Sequence, residues 1–181
     1  DFDESLVFAG KGAERNNILI DIFLEAENER KLFYQLNNLE PIAYKNKINS
    51  LINFKLDTYN EYIATHPNET ESYLKILKIA LTYPIYSRVE RYPINHTYIS
   101  RKKEFPKTDT SFYAYRTGLD YNNNALMYYA PYARYITNYL YNVTYAFGHQ
   151  PMKDEFSSDF TVDLLNTINN KISSSDSKNA F

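Results

Sequence analysis

The sequence predicts a mainly α-helical protein, an irregular bundle of about five to seven helices preceded by one short strand. Three observations carry this. Only 4 glycines occur in 181 residues, too few for a β protein with a turn after every short strand. Apolar residues recur at three- and four-residue spacing through long segments. Proline, asparagine and threonine gather between those segments, where helices start and stop.

Residues 3–8 read as a strand, and a lone strand needs a partner, so its neighbours are expected upstream or at another edge. A first helix is expected from about Ala13 to Leu36, with Leu19, Ile22, Phe23, Ala26, Phe33 and Leu36 on one face. The segment Asn37–Pro41 breaks it, and Pro41 suits a first helical position. A second helix spans about Pro41 to Thr65, its stripe marked by Ile48, Leu51, Ile52, Tyr59, Tyr62 and Ile63. Pro67 stops it, and Asn68 or Thr70 is the next N-cap. A third helix follows from about Glu71 to Tyr83, ended or kinked by Pro84. Residues 91–125 look irregular, and their basic run Arg101–Lys103 reads as solvated. A helix from about Pro131 to Phe147 has Gly148 as its C′ residue. The last runs from about Ser158 to Ile172, with Phe160, Leu164, Leu165 and Ile168 apolar.

Composition narrows the function classes. The length corresponds to about one domain, and 44% hydrophobic with 23% charged residues is ordinary globular usage. A net charge of −2 gives nucleic-acid binding no electrostatic support. Without cysteine, a disulfide framework, a thiol nucleophile and a Cys-ligated metal are excluded within this chain. The longest apolar cluster, Ile18–Leu24, is interrupted by Asp21, so no span across a bilayer is expected. No stretch reads as a signal peptide. Beginning at Asp1 and ending in SSSDSKNAF, the sequence reads as a fragment or processed form.

Possible chemistry can be tested against spacing. In Phe8-Ala-Gly10-Lys11-Gly12-Ala-Glu-Arg15, Lys11 lies between the glycines, whereas a phosphate loop needs it after the second glycine. A dinucleotide turn needs Gly or Ala where Arg15 stands. The segment therefore reads as a turn into a helix using glycine for positive φ, with a weak anion site near Lys11 and Arg15 as the residual possibility. His66, His96 and His149 sit in three separate loops, so a three-histidine metal site requires those loops to converge. Carboxylates cluster at Glu69–Glu71 and at Asp154, Glu155 and Asp159. Acid–base catalysis would need two of them facing one cleft in different environments, and Asp159 reads instead as a first-turn acid favoured by the helix dipole. No nucleophile elbow is present. Tyr128, Tyr132, Tyr135 and Tyr139 form a stripe. They either fill helix–helix seams or present a surface for glycan, peptide or protein. Asn68, Asn95 and Asn142 head sequons.

The stretch from Leu6 to Leu24 resembles a recurrent segment of multidomain, exported thioredoxin-like thiol–disulfide oxidoreductases of the TlpA type. Phe8, Gly10, Gly12, Ala13, Asn16 and Asn17 match its pattern. The resemblance implies that residues 1–9 are the terminal strand of a preceding β-domain and that residues 10–181 are a helical middle domain. It also implies a thioredoxin domain beyond Phe181 and a periplasmic or cell-envelope location, often as a lipoprotein. The family's C-x-x-C pair is absent, so no catalytic residue carries over and no cofactor or metal is expected. The leading expectation is a noncatalytic module that positions the redox domain or contacts a substrate protein or a second copy. The alternatives are a free-standing helical protein binding glycan or peptide through the tyrosine stripe, and a hydrolase using Asp154, Glu155 or His149 with another acid or histidine.

Overall fold

The computed structural model describes residues 6–151 and 153–181. Among them lie six α-helices: α1 (Ala13–Leu36), α2 (Pro41–Thr65), α3 (Glu71–Ser100), α4 (Ala130–Tyr145), α5 (Ser158–Lys171) and the short α6 (Ser175–Lys178). Two 3-10 stretches, Thr110–Gly118 and Asn124–Leu126, lie between α3 and α4. The mainly helical architecture is as expected. α3 packs against α1, α2 and α4, and α4 packs against α5.

Local chemistry sets most boundaries. Pro41 opens α2 as anticipated. Thr70 caps α3, its hydroxyl accepting from the Tyr73 N–H, and Ser157 does the same for Phe160 at the start of α5. Gly148 takes a φ of 99° just after α4, a conformation that favours glycine.

The third helix departs from expectation: α3 runs through Pro84 and Pro93 to Ser100 instead of ending near Tyr83. A proline inside a helix costs about 3 kcal/mol. Here burial on every side offsets that cost, since every residue from Ile79 to Tyr83 and from Tyr92 to Ile94 is buried. That all-round burial also hides the helix from a periodicity reading, because no single apolar face stands out. α3 ends with Arg101 at φ 54°, donating to the Tyr98 carbonyl, while Lys102 N–H reaches back to Thr97 O at 3.1 Å. This is the paired bonding of a Schellman stop, made without glycine.

Two further corrections concern α1 and its approach. Phe23, expected on the buried face, is 49% exposed. Leu6–Phe8 forms no strand among the described residues, and residues 3–5 of the expected strand lie outside them. With no second strand among the described residues to pair with, Phe8 is bonded by a side chain of α1 instead.

Two cores flank α3. Phe33, Leu36, Tyr44, Ile48, Ile85, Val89, Tyr92 and Phe112 fill one, with the Tyr44 and Tyr92 rings stacked 3.9 Å apart. The other, toward α4 and α5, gathers Ile79, Tyr83, Tyr86, Tyr132, Tyr135, Ile136 and Ile168. Lys55 ties α2 to α1: buried to 3% exposure, its ammonium sits 2.5 Å from Glu25 and 3.0 Å from Glu29. Removing that cation leaves two carboxylates facing each other, one of them largely shielded. Lys55→Ala is expected to lower unfolding stability by about 1–3 kcal/mol, read as a lower urea midpoint at unchanged slope.

Candidate functional site

The strongest concentration of polar chemistry is one that sequence reading missed. Glu90, on α3, has no solvent exposure. Its Oε1 accepts from the Tyr115 hydroxyl at 2.8 Å and from Arg116 Nε at 2.9 Å. Its Oε2 accepts from Arg116 Nη2 and from Asn142 Nδ2 at 2.6 Å. The donors come from the 3-10 stretch at 110–118 and from α4, so one carboxylate joins three elements. The Arg116 guanidinium also lies over the Tyr113 ring at 3.9 Å and faces Tyr139 at 5.1 Å, a cation–π arrangement.

The electrostatics follow from burial and pairing. Burial alone would lower the Arg116 pKa, but the hydrogen bonds and charge of Glu90 outweigh it and raise the value. Burial raises the Tyr115 phenol well above its usual value, with the Glu90 charge adding to it. Tyr135 is pushed up by the same two causes. The phenols thus stay protonated and the guanidinium charged. A carboxylate has about four acceptor positions, and all four on Glu90 are used. Through those bonds it ties the 3-10 stretch and α4 to α3.

The tyrosine stripe does not form a common surface. Tyr132, Tyr135 and Tyr139 are buried against α3 and the segment before α4, whereas Tyr128 is 91% exposed. The reading of these four as one binding face is corrected accordingly. The three buried rings fill a helix seam, and the Tyr132 and Tyr135 hydroxyls find partners within it. Tyr132 OH donates to Asp120 O at 2.8 Å and accepts from Asn123 N–H at 3.0 Å, and Tyr121 and Tyr135 hydroxyls meet at 3.4 Å.

The histidines stay apart in separate contacts. His66 pairs with Glu14 at 2.8 Å while its ring stacks on Tyr62. His96, buried within α3, bonds the Asn37 carbonyl at 2.9 Å through Nδ1, which therefore carries the hydrogen. His149 meets Asp163 at 2.8 Å and lies edge-on to Phe160. Among the described residues no group of three or more acidic or histidine side chains has a metal-holding arrangement. Asp154 accepts from the Gln150 N–H in a turn, and Asp159 lies in the first turn of α5 as anticipated.

At the glycine loop, Gly10 and Gly12 take φ of 90° and 82°, and α1 starts at Ala13. Arg15 is not available for an anion, because its fork grips Glu69, with Nε at 2.8 Å from Oε2. The anchored carboxylate sits in a nearly buried side chain that also accepts from the Thr70 N–H and from Tyr62 OH. Asn17, of the matched pair Asn16 and Asn17, is the one whose side chain bonds Phe8. A groove of about 200 Å³ between α4 and α5 is lined by Leu140, Tyr141, Leu164, Ile168 and Phe181, with no carboxylate, histidine or lysine side chain in its wall.

No protein-family model, curated protein or solved structure matches this chain. No helix of the described residues is long and apolar enough to cross a membrane.

Two measurements check this account. Glu90→Ala strands the Arg116 charge in the seam and is expected to cost about 3 kcal/mol, whereas replacing Glu90 and Arg116 together by apolar residues costs less; chemical denaturation of the two variants decides. The Arg15 hydrogen bond is the chief reason that the Glu69 pKa falls from 4.5 to about 2. Because the folded value lies below the unfolded one, the stabilisation is present above pH 4.5 and is lost as pH falls toward 2. Thermal melts across that window should show a steeper loss for the parent chain than for Glu69→Gln.

Proposed function

We propose that this chain is a noncatalytic helical module of an exported thioredoxin-like thiol–disulfide oxidoreductase, working in the periplasm or cell envelope. In this reading residues 1–9 close a preceding β-domain and residues 10–181 form the module. It holds a following redox domain in position or contacts protein partners, a second copy among them. With no cysteine, thiol chemistry is not its own.

The observation that carries the proposal is the junction at Phe8–Asn17. Five of the six residues on which the resemblance rests, Phe8, Gly10, Gly12, Ala13 and Asn17, act together there. Gly10 and Gly12 supply the positive φ of the turn, Ala13 starts α1, and Asn17 bonds both backbone groups of Phe8. A segment that builds a joint suits a positioning module. The noncatalytic part is supported by how the ionisable groups are used. Glu90, Arg116, Lys55, Glu69 and Arg15 each hold one element to another. Glycan or peptide binding through the tyrosine stripe is not proposed, since three of its four rings are buried.

The parent reading frame tests the proposal. Within about one domain length after Phe181, it is expected to encode a thioredoxin pattern with C-x-x-C. A frame that continues without that pattern, or stops at once, refutes the reading.

A further inference from the structure

We infer that the passage from Leu6–Phe8 into α1 is a fastened joint, with Asn17 as its positioning residue, and that it holds the polypeptide at Leu6–Phe8 in a fixed direction against the helical bundle. The inference rests on the reading of this chain as a positioning module, and it gives that reading a physical device.

The fastening has two parts. In the first, Phe8 N–H donates to Asn17 Oδ1 at 2.7 Å, and Asn17 Nδ2 donates to Phe8 O at 3.1 Å. A side-chain amide offers the same donor and acceptor as a peptide group. Asn17 therefore takes both polar groups of Phe8, as one residue of a neighbouring antiparallel strand would. A single hydrogen bond would leave Phe8 free to swing about it, whereas two bonds to one planar group fix position and direction together. The intervening turn is closed as well, with Ala13 N–H reaching Gly10 O at 3.1 Å. No atom crowds a Cβ placed at Gly10 or Gly12, so the glycines serve φ and not close packing.

In the second part, the first turn of α1 is itself held to the α2–α3 corner. Arg15 grips Glu69, Glu14 meets His66, and Tyr73 OH donates to the Arg15 carbonyl at 2.9 Å. The Arg15 guanidinium also lies 5.0 Å from the Tyr73 ring centre. These bonds come from three different side chains of the corner and its flanks. The base on which Asn17 stands thus does not pivot. Val7 is 72% exposed, and Leu6 and Phe8 are 38% and 39% exposed, so no side chain of this segment enters the core, and its directed bonds are those of the amide clamp.

The absence of native cysteine allows clean labelling at introduced ones. Val7, 72% exposed, and Asn53, exposed on α2, take spin labels as Val7→Cys and Asn53→Cys without touching the core. Pulsed dipolar spectroscopy then gives the distance distribution between them. A single narrow distribution is expected with Asn17 in place, broadening about twofold in Asn17→Ala while helicity by circular dichroism is unchanged. Asn17→Asp keeps the acceptor for Phe8 N–H and loses the donor, and should give an intermediate width. Asn16→Ala, one position away and exposed, should leave the distribution narrow. A distribution already broad with Asn17, or one that stays narrow in Asn17→Ala, overturns the inference. So does equal broadening in Asn16→Ala. If Asn17→Ala loses helicity, Asn17→Asp decides, and a width equal to the parent's counts against the clamp. A reading frame lacking a thioredoxin pattern would refute the proposed function and leave these distances unchanged, so the two failures are distinguishable.

Discussion

A carboxylate with no access to water must be matched, and the way Glu90 is matched organises the second half of this molecule. The segment between α3 and α4 has little regular structure, and beyond the Phe112 and Met127 side chains it places in the cores it needs polar fastening. It is held because Tyr115 and Arg116 reach into the seam between α3 and α4 to satisfy Glu90, while Asn142 closes the fourth acceptor position from α4. Ion pairs of this kind add little to stability compared with apolar packing. Their contribution is direction, since Glu90 accepts its full set of bonds only when all three elements stand in one arrangement.

Tyrosine extends the same logic. A tyrosine ring buries as much apolar surface as phenylalanine but requires a partner for its hydroxyl. Three of the hydroxyls reach the backbone between helices: Tyr92 OH donates to Leu39 O, Tyr121 OH to Arg116 O and Tyr132 OH to Asp120 O. Each acceptor lies in a connecting segment. A core rich in tyrosine therefore fills helix seams with its rings and pins the loops with its hydroxyls. Phenylalanine in those places would fill the seams and leave the loops unheld.

This use of polar groups bears on function. Catalytic residues need an unspent lone pair or proton facing a cleft. Among the described residues many polar groups join helices to loops, and the groove between α4 and α5 is walled by Thr137, Tyr141 and apolar side chains. The first turn of α1 repeats the pattern at the other end, where Arg15, Glu69, His66 and Asn17 connect a turn to the bundle.

The sequence by itself determined the helical class and most element boundaries. α1 and α2 follow the expected ranges because each has a one-sided apolar stripe and a local stop. The cap at Thr70, the proline at Pro41 and the glycine at Gly148 were equally legible, since their causes lie within a few residues. Only the tertiary structure decided the rest. Pro84 looked like a helix end because the cost of proline is local, while the burial that offsets it comes from α1, α2 and α4. Tyr132, Tyr135 and Tyr139 could equally have faced solvent, because a stripe of amphipathic rings does not say which side is covered. Glu90 and Arg116, 26 residues apart, bear no mark in the sequence of belonging together. Their pairing exists only where α3, α4 and the intervening segment meet, and a long-range bond between unlike elements has no periodicity to announce it.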